Sequence, residues 1–299
     1  MFPSYLNSIS LNKTTEKLNK MLSPCTVCPF KCGTNRYKEK NGRCRSGLLP
    51  EISSYNIHRG EEPPISGTRG SGTIFLTGCS LRCSFCQNYP ISQLRNGNEV
   101  SVKELSDCMI SLQERGAHNI NFVSPTHFVP QLVEALMLAV IKGLKIPIVY
   151  NSGGYDNVEV LKCLDGIVDI YLPDMKYSDD ARALEYSNAP GYVEINRAAV
   201  KEMYRQVGEL KTDREGVAVR GLIIRHLVLP GNISNTEKVL ESIARISTSI
   251  HVSLMSQYFP AHRAVSMNNL KRKLNRDEYL EASNILADLG LVNGWTQPF

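Results

Sequence analysis

From Thr73 onward the chain alternates short, near-continuous apolar runs with longer stretches whose apolar residues recur at helical spacing. The runs TIFLTG (73–78), INFVS (120–124), IPIVYN (146–151), VDIYL (168–172), LIIRHLVL (222–229) and HVSLM (251–255) read as strands. Val-, Ile- and Leu-rich runs without a polar alternate suit parallel strands that are buried on both faces. Helices are predicted near 101–116, 129–143, 156–164, 193–208, 235–247 and 276–289. Two open on a capping-box pair, Ser101 with Glu104 and Ser234 with Glu237, at the spacing that satisfies free backbone N–H groups. Six βα units in succession predict an α/β fold with a parallel sheet. Six units do not close an eight-stranded barrel, so an open, partial (β/α)6 barrel is expected, with its chemistry at the C-terminal strand ends.

Upstream of the first strand the pattern dissolves. Residues 1–24 are polar, with a weak amphipathic helix around Leu11–Leu22. Residues 25–47 form a Cys-, Gly- and Arg-rich knot, CTVCPFKCGTNRYKEKNGRCRSG, and a linker follows that contains Glu61-Glu62-Pro63-Pro64 and a Gly-rich stretch over 66–72. The division expected is an N-terminal cysteine-rich extension over 1–60 and a core domain over 61–299. At 299 residues, 42% hydrophobic and 21% charged, the chain has the composition of an ordinary globular protein. Its net charge of +5 is mild, and the densest basic run, Lys271-Arg272-Lys273 with Arg276, reads as a solvated approach to a helix. A nucleic-acid partner is therefore not expected. No apolar stretch reaches the roughly 20 residues that span a bilayer, and Met1–Lys20 lacks the apolar core of a signal peptide. These features predict a cytoplasmic protein with no membrane partner, in a compartment where thiols stay reduced.

The predicted strand ends share polar, turn-forming residues: Gly78-Cys79, Ser124-Pro125-Thr126-His127, Asn151-Ser152-Gly153-Gly154, Pro173-Asp174-Met175-Lys176, Pro230-Gly231 and Ser256-Gln257-Tyr258. Ordinary turns explain the Gly and Pro residues, but less well the Asp174/Lys176 pair. His127 stands at one such end, where a structural hydrogen bond is the simpler role. Tyr155, Tyr171 and Tyr258 are placed to line a mouth, although packing accounts for each more simply, as it does for Trp295. Of nine cysteines, seven fall between Cys25 and Cys86, and clustering of this kind in a reducing compartment points to metal or redox chemistry. Cys108 and Cys163 occupy apolar positions of predicted helices and read as inert core residues.

Directly after the first strand, GCSLRCSFCQN sets Cys79-x3-Cys83-x2-Cys86. Three thiolates can hold three irons of a [4Fe–4S] cube and leave the fourth iron open. That iron can chelate an amine and a carboxylate, such as the methionyl end of S-adenosylmethionine (SAM) offers. An electron passed into the sulfonium then breaks a C–S bond and frees a 5′-deoxyadenosyl radical, while the protein supplies position and shielding. A zinc site would want four ligands, usually in pairs of cysteines. The second set, Cys25-x2-Cys28-x3-Cys32-x11-Cys44, has four. It suits a structural Zn site or a second, fully ligated iron–sulfur cluster, and reduced or catalytic cysteines are the third alternative.

The spacing of Cys79, Cys83 and Cys86 at the end of a first strand resembles the hallmark of the radical SAM superfamily, in which Phe85 matches the aromatic position near the adenine. SGTRGSGTIFLTGCSLRCSFCQN resembles the opening of the pyruvate formate-lyase activating enzyme family. NSGG, LPDMK and RHLVLPG follow in the order and spacing of that family's SAM-binding strands. With the N-terminal knot and EEPPISGTRGSG, the chain most resembles the PflX-type branch, over essentially its full length. The resemblance implies that Asn151 lies on the ribose or carboxylate side of SAM, that Asp174 and Lys176 are its polar neighbours, and that Arg225 contacts its carboxylate. There are two departures: SPTH stands where the activating enzymes carry a Gly-Gly-Glu segment, and Asn151 stands where they carry Asp. The resemblance further implies a reducing donor such as flavodoxin or ferredoxin, and a glycine of a glycyl radical enzyme as the leading substrate. A small molecule or another peptide is the alternative substrate. A non-catalytic metal-binding partner protein would predict loss of one of the three cysteines, and all three are present.

Overall fold

The computed structural model describes residues 3–7 and 11–299. In chain order its strands are β1 (Glu51–His58), β2 (Ser71–Leu76), β3 (Asn98–Glu99), β4 (Ile120–Val123), β5 (Ile148–Ser152), β6 (Ile170–Pro173), β7 (Lys211–Thr212), β8 (Ala218–Leu227), β9 (His251–Met255) and β10 (Gly294–Thr296). They form one sheet in the order β10-β9-β8-β6-β5-β4-β2-β1-β3, with β7 paired to β8 off this path. Along this order the pairings from β10 to β2 are parallel, whereas β1 pairs antiparallel with β2 and β3, and β7 with β8. The two end strands do not pair with each other, so the sheet curls into an open, partial barrel.

The six predicted strands are all present, and β10 adds a short seventh parallel strand that three residues could not announce. The stretch read as linker contains β1, which runs antiparallel to β2 and brings part of the first 60 residues into the sheet. Its mixed sequence, EISSYNIH, matches its position near an edge with one face half exposed.

Residue parity along the strands sorts side chains to two sides. Ile148, Tyr150, Leu222 and Ile224 point outward into the core shared with the helices. Val149, Ile170, Leu172 and Ile223 point inward and close the barrel floor with Ile65. Each such fully buried aliphatic side chain is stabilised by about 1.5–3 kcal/mol relative to exposure. The outer helices bury one stripe; in Val129–Ile141 it comprises Val129, Leu132, Val133, Leu136 and Ala139.

The predicted helices appear within a few residues of their expected ends, and the Ser101–Glu104 capping box is formed. The Ser234–Glu237 box is not. Helix Thr236–Ala244 begins after Asn235, which adopts a left-handed conformation, and the Ser234 hydroxyl instead donates to the Leu227 carbonyl at 3.4 Å. Helix Asp180–Ser187 lies in a stretch without strong apolar periodicity and was not expected. Tyr155, Tyr171 and Tyr258 are buried, their hydroxyls donating to Pro190 O, Gln206 Oε1 and Leu270 O. All three therefore serve packing, as does Trp295 against the inner barrel residues. Among the described residues no helix is long and apolar enough to cross a membrane.

The knot docks on the strand-end side. Arg36 is buried and donates to Gly47 O at 2.7 and 3.0 Å and to His127 O, with its guanidinium over the Phe128 ring. Asn157 Nδ2 donates to Thr26 O at 2.8 Å. Knot and barrel rim are thus tied by hydrogen bonds from both sides.

Candidate active site

The C-terminal strand ends surround a chamber of about 240 Å³ that opens to solvent. Cys79, Phe85, Cys83 and Cys86 line it together with Asn151, Asp174, Lys176 and Arg225. Sequence-predicted positions from four separate segments therefore meet in one place.

Gly78 makes the turn out of β2. Its φ of +75° is one that L side chains rarely adopt, and a Cβ there would stand 2.5 Å from the Arg95 guanidinium. The loop beyond is held from behind: Arg82 N donates to Ser187 O at 2.9 Å and Ser84 N to Tyr186 O at 2.7 Å. Phe85 is buried and meets Tyr258 edge-on at 6.1 Å between ring centroids. Ser187 Oγ donates to Cys83 Sγ at 3.0 Å, and Cys86 Sγ lies 3.1 Å from Ser92 Oγ. Burial pushes the Cys79 thiol up to about 12, with the sulfurs of Cys83 and Cys86 adding to the rise. Burial also raises Cys83, against the opposing charge of Lys176. Free thiols in this setting stay protonated, and thiolate ligands form when a metal replaces the proton. With Cys83 and Cys86 turned to the two serines, no three His, Cys, Asp or Glu groups among the described residues stand together as a ready metal cage. The donor set nevertheless fits an iron–sulfur cube in number and softness, since three sulfurs of one short loop border the same solvent-open cavity.

The rest of this lining carries a charge network. Arg225 Nε donates to Asp174 Oδ1 at 2.9 Å and its Nη2 to Asn151 Oδ1 at 2.5 Å, while Lys176 Nζ donates to Asp174 Oδ2 at 2.5 Å. Beneath them Glu61 Oε2 lies 3.9 Å from Arg225 Nη1. Burial alone would raise the Asp174 carboxyl, but the charges of Lys176 and Arg225 outweigh it and hold it below its ordinary value. Burial alone would lower Lys176 and Arg225, and the facing carboxylates keep both raised. All three groups stay ionised at neutral pH. Alternating fixed charges beside a cavity can take up both ends of an amino-acid zwitterion.

Residues the sequence reading passed over hold this wall in place. Asp156 is fully buried and accepts from Thr126 Oγ1, Tyr150 OH and Ser152 Oγ at 2.7–2.8 Å, which ties the SPTH and NSGG segments together. Gly154, at φ +70°, lets its backbone approach so closely that a Cβ would fall 2.1 Å from Asp174 O. On the helix Tyr192–Val207, Asn196 Nδ2 donates to Gly154 O and Asp174 O at 2.9 and 3.0 Å, and Tyr192 OH accepts from Lys176 N at 3.0 Å. An acid just after a double glycine at a strand end, and a Tyr/Asn pair one helical turn apart, were the available signals. His127 does not line the chamber. Its Nε2 donates to Thr77 O at 2.8 Å, and burial keeps the ring neutral, its value lowered to about 3.

The knot cysteines form a second setting. Cys25, Cys28 and Cys44 are buried and Cys32 is exposed. Backbone N–H groups two residues on reach the sulfurs of Cys25 (from Val27), Cys28 (from Phe30) and Cys32 (from Thr34). Such amides stabilise anionic sulfur, the state a metal requires. Burial pushes the Cys28 thiol up to about 12, and the sulfurs of Cys44, Cys25 and Cys32 add to this, so the four sit within one another's field. Cys108 is half-buried against the core, and Cys163 is buried with its Sγ donating to Glu159 O.

Residues 73–213 match the radical SAM superfamily. The chain carries a radical SAM domain. It is 29% identical over 290 residues to an uncharacterized protein of Methanocaldococcus jannaschii, across 93% of this chain and 78% of that protein. It is 24% identical over 212 residues to the pyruvate formate-lyase-activating enzyme of Clostridium pasteurianum, across 68% and 79% of the two. Among solved structures, the [FeFe]-hydrogenase maturase HydG matches with a TM-score of 0.52 at 11% identity, over 74% of this chain and 50% of that one. The HydG of Carboxydothermus hydrogenoformans matches at 0.51 and 15% identity, over 76% and 53%. At these identities the likeness concerns the fold alone, the partial barrel of the radical SAM domain. A radical SAM domain implies a [4Fe–4S] cluster, SAM and a source of electrons.

Proposed function

We propose that the radical SAM domain cleaves SAM reductively at a cluster held by Cys79, Cys83 and Cys86 and directs the resulting radical to a glycine of a protein, as an activase of glycyl radical enzymes. The observation that carries this reading is the single chamber shared by the three thiols and the Asn151–Asp174–Lys176–Arg225 network. When bound, the cluster supplies the one electron that breaks a C–S bond of SAM and yields the 5′-deoxyadenosyl radical. Lys176 and Arg225 bind the SAM carboxylate, Asp174 its amine, and Asn151 the ribose or carboxylate side. Phe85 packs toward the adenine. Asp156 binds no ligand; it fixes the SPTH and NSGG segments so that this wall does not need to reorganise. The knot holds a structural Zn through Cys25, Cys28, Cys32 and Cys44, supported by its full set of four thiols.

A glycine α-hydrogen is an apt target because the product radical is delocalised over two flanking amides. The open side of the sheet leaves a path for a protruding loop, and the similarity to the Clostridium pasteurianum activating enzyme supports this substrate class. The test is to mix the reduced enzyme, SAM and a glycyl radical enzyme of the same cell. A doublet in electron paramagnetic resonance, with oxygen-dependent cleavage of the partner at one glycine, is expected. Formation of 5′-deoxyadenosine without the doublet for any such partner would contradict the activase reading and point to another peptide or a small molecule.

A further inference from the structure

Between the knot and the cluster loop lies a second cavity, of about 100 Å³, whose lining includes Arg43, Arg45, Arg82 and Arg95, with Cys44 from one cysteine set and Cys79 from the other. No Asp or Glu lines it. Backbone carbonyls hold the guanidinium groups in place. Arg43 donates to Ser80 O and to Asn188 O, the latter at 3.1 Å, and Arg45 donates to Gln93 O at 2.9 Å. Arg82 donates to Arg43 O at 3.1 Å and Arg95 to Cys44 O. At the rim, the exposed Arg263 donates to Arg82 O at 2.8 Å. Arg95 also pairs with Glu51. Among the described residues, Arg43, Arg45, Arg82 and Arg263 have no carboxylate within ion-pair distance.

Positive groups that are oriented by neutral carbonyls and left uncompensated form a preorganised receptor for oxyanions. None of the four lines the proposed SAM chamber, which this cavity meets at Cys79 and Ser92. Their distinguishing feature is position: Cys79 lines this cavity as well as the chamber. Resting on the functional reading above, we propose that the arginine cluster is the docking site of a small acidic one-electron carrier protein, whose surface carboxylates it receives. One electron leaves the carrier's reduced centre, which is thereby oxidised by one, and the same electron is the one that SAM cleavage consumes. No bond or proton changes hands at docking.

The test measures binding rather than turnover. Titration calorimetry of the reconstituted full chain with an oxidised flavodoxin, and separately with an oxidised ferredoxin, should give an affinity for one of them that weakens as salt rises from ~0.05 to ~0.3 M. The double variant Arg45→Gln/Arg263→Gln should weaken it by roughly three- to tenfold, and Arg45→Lys/Arg263→Lys should restore most of it. SAM cleavage driven by photoreduced deazariboflavin, which is uncharged and needs no dock, should be equal in wild type and double variant. An affinity indifferent both to salt and to the Gln variant would overturn the proposal, as would an equal loss with deazariboflavin. Failure of the wild type to cleave SAM with deazariboflavin would instead sink the functional reading, and the affinity measurement would still decide the dock.

Discussion

The seven cysteines before residue 87 build two settings that differ in ligand count and in what they face. The Cys79–Cys86 trio borders a solvent-open chamber that it shares with a charge network, and Ser187 and Ser92 lie against two of its sulfurs. The Cys25–Cys44 quartet turns inward: three of its four residues are buried, and backbone N–H groups are aimed at three of its sulfurs. Three ligands beside a cavity leave room for a further molecule at the metal, whereas four ligands with backbone support complete a site. On the function proposed above, the trio serves reaction and the quartet scaffolding, and the two sets should fail differently.

The largest difference is expected from cysteine substitution. Replacing Cys79, Cys83 or Cys86 with Ala should remove about four Fe per chain together with the cluster's visible absorbance, while the knot metal stays. Cys28→Ser should do the reverse, costing about one Zn per chain and opening residues 25–47 to protease, since metal binding at such a knot is folding free energy. Metal analysis of both reconstituted variants checks this. About eight Fe and no Zn in the wild type would make the quartet a second cluster and erase the contrast.

Next in size is the charged wall. Arg225→Leu removes a charge-assisted contact worth on the order of 1.5–3 kcal/mol. SAM affinity should fall by roughly ten- to a hundredfold with iron content unchanged. Asp156→Ala acts one step removed: it strands three buried hydroxyls and should lower stability by roughly 2–4 kcal/mol, read from the urea midpoint.

How much of this was legible in the sequence follows from where the information sits. The parallel strands were plain because their runs are apolar on both faces, and the trio because it occupies one local motif. Asn151 and Asp174 lie at strand ends as read, and Arg225 lies within β8, but their mutual bonds depend on register: Asp174 pairs beside Arg225 only once β6 and β8 are neighbours. Asp156, Tyr192 and Asn196 act through bonds to distant backbone or hydroxyl groups, which no local pattern encodes. Ser234 misled because a capping pair is judged by spacing, whereas the left-handed Asn235 starts the helix one residue later.

The smallest effect concerns pH. His127 is held neutral by burial, at about 3 against roughly 6.5 when unfolded. Between those values the unfolded state binds the extra proton, so this group's contribution to stability falls as pH falls. Relative to His127→Gln, the wild type should lose up to ~1.4 kcal/mol per pH unit below about 6.5. Urea midpoints of the two proteins at pH 7 and pH 5 check it, and parallel behaviour would remove His127 from the account.

The central claim is that the trio, and not the quartet, carries the reaction. It is tested most directly by counting 5′-deoxyadenosine released by anaerobically reconstituted protein given SAM and photoreduced deazariboflavin. The account predicts SAM-dependent release by the wild type and none by Cys83→Ala, with its knot metal retained. Undiminished release by Cys83→Ala would contradict it.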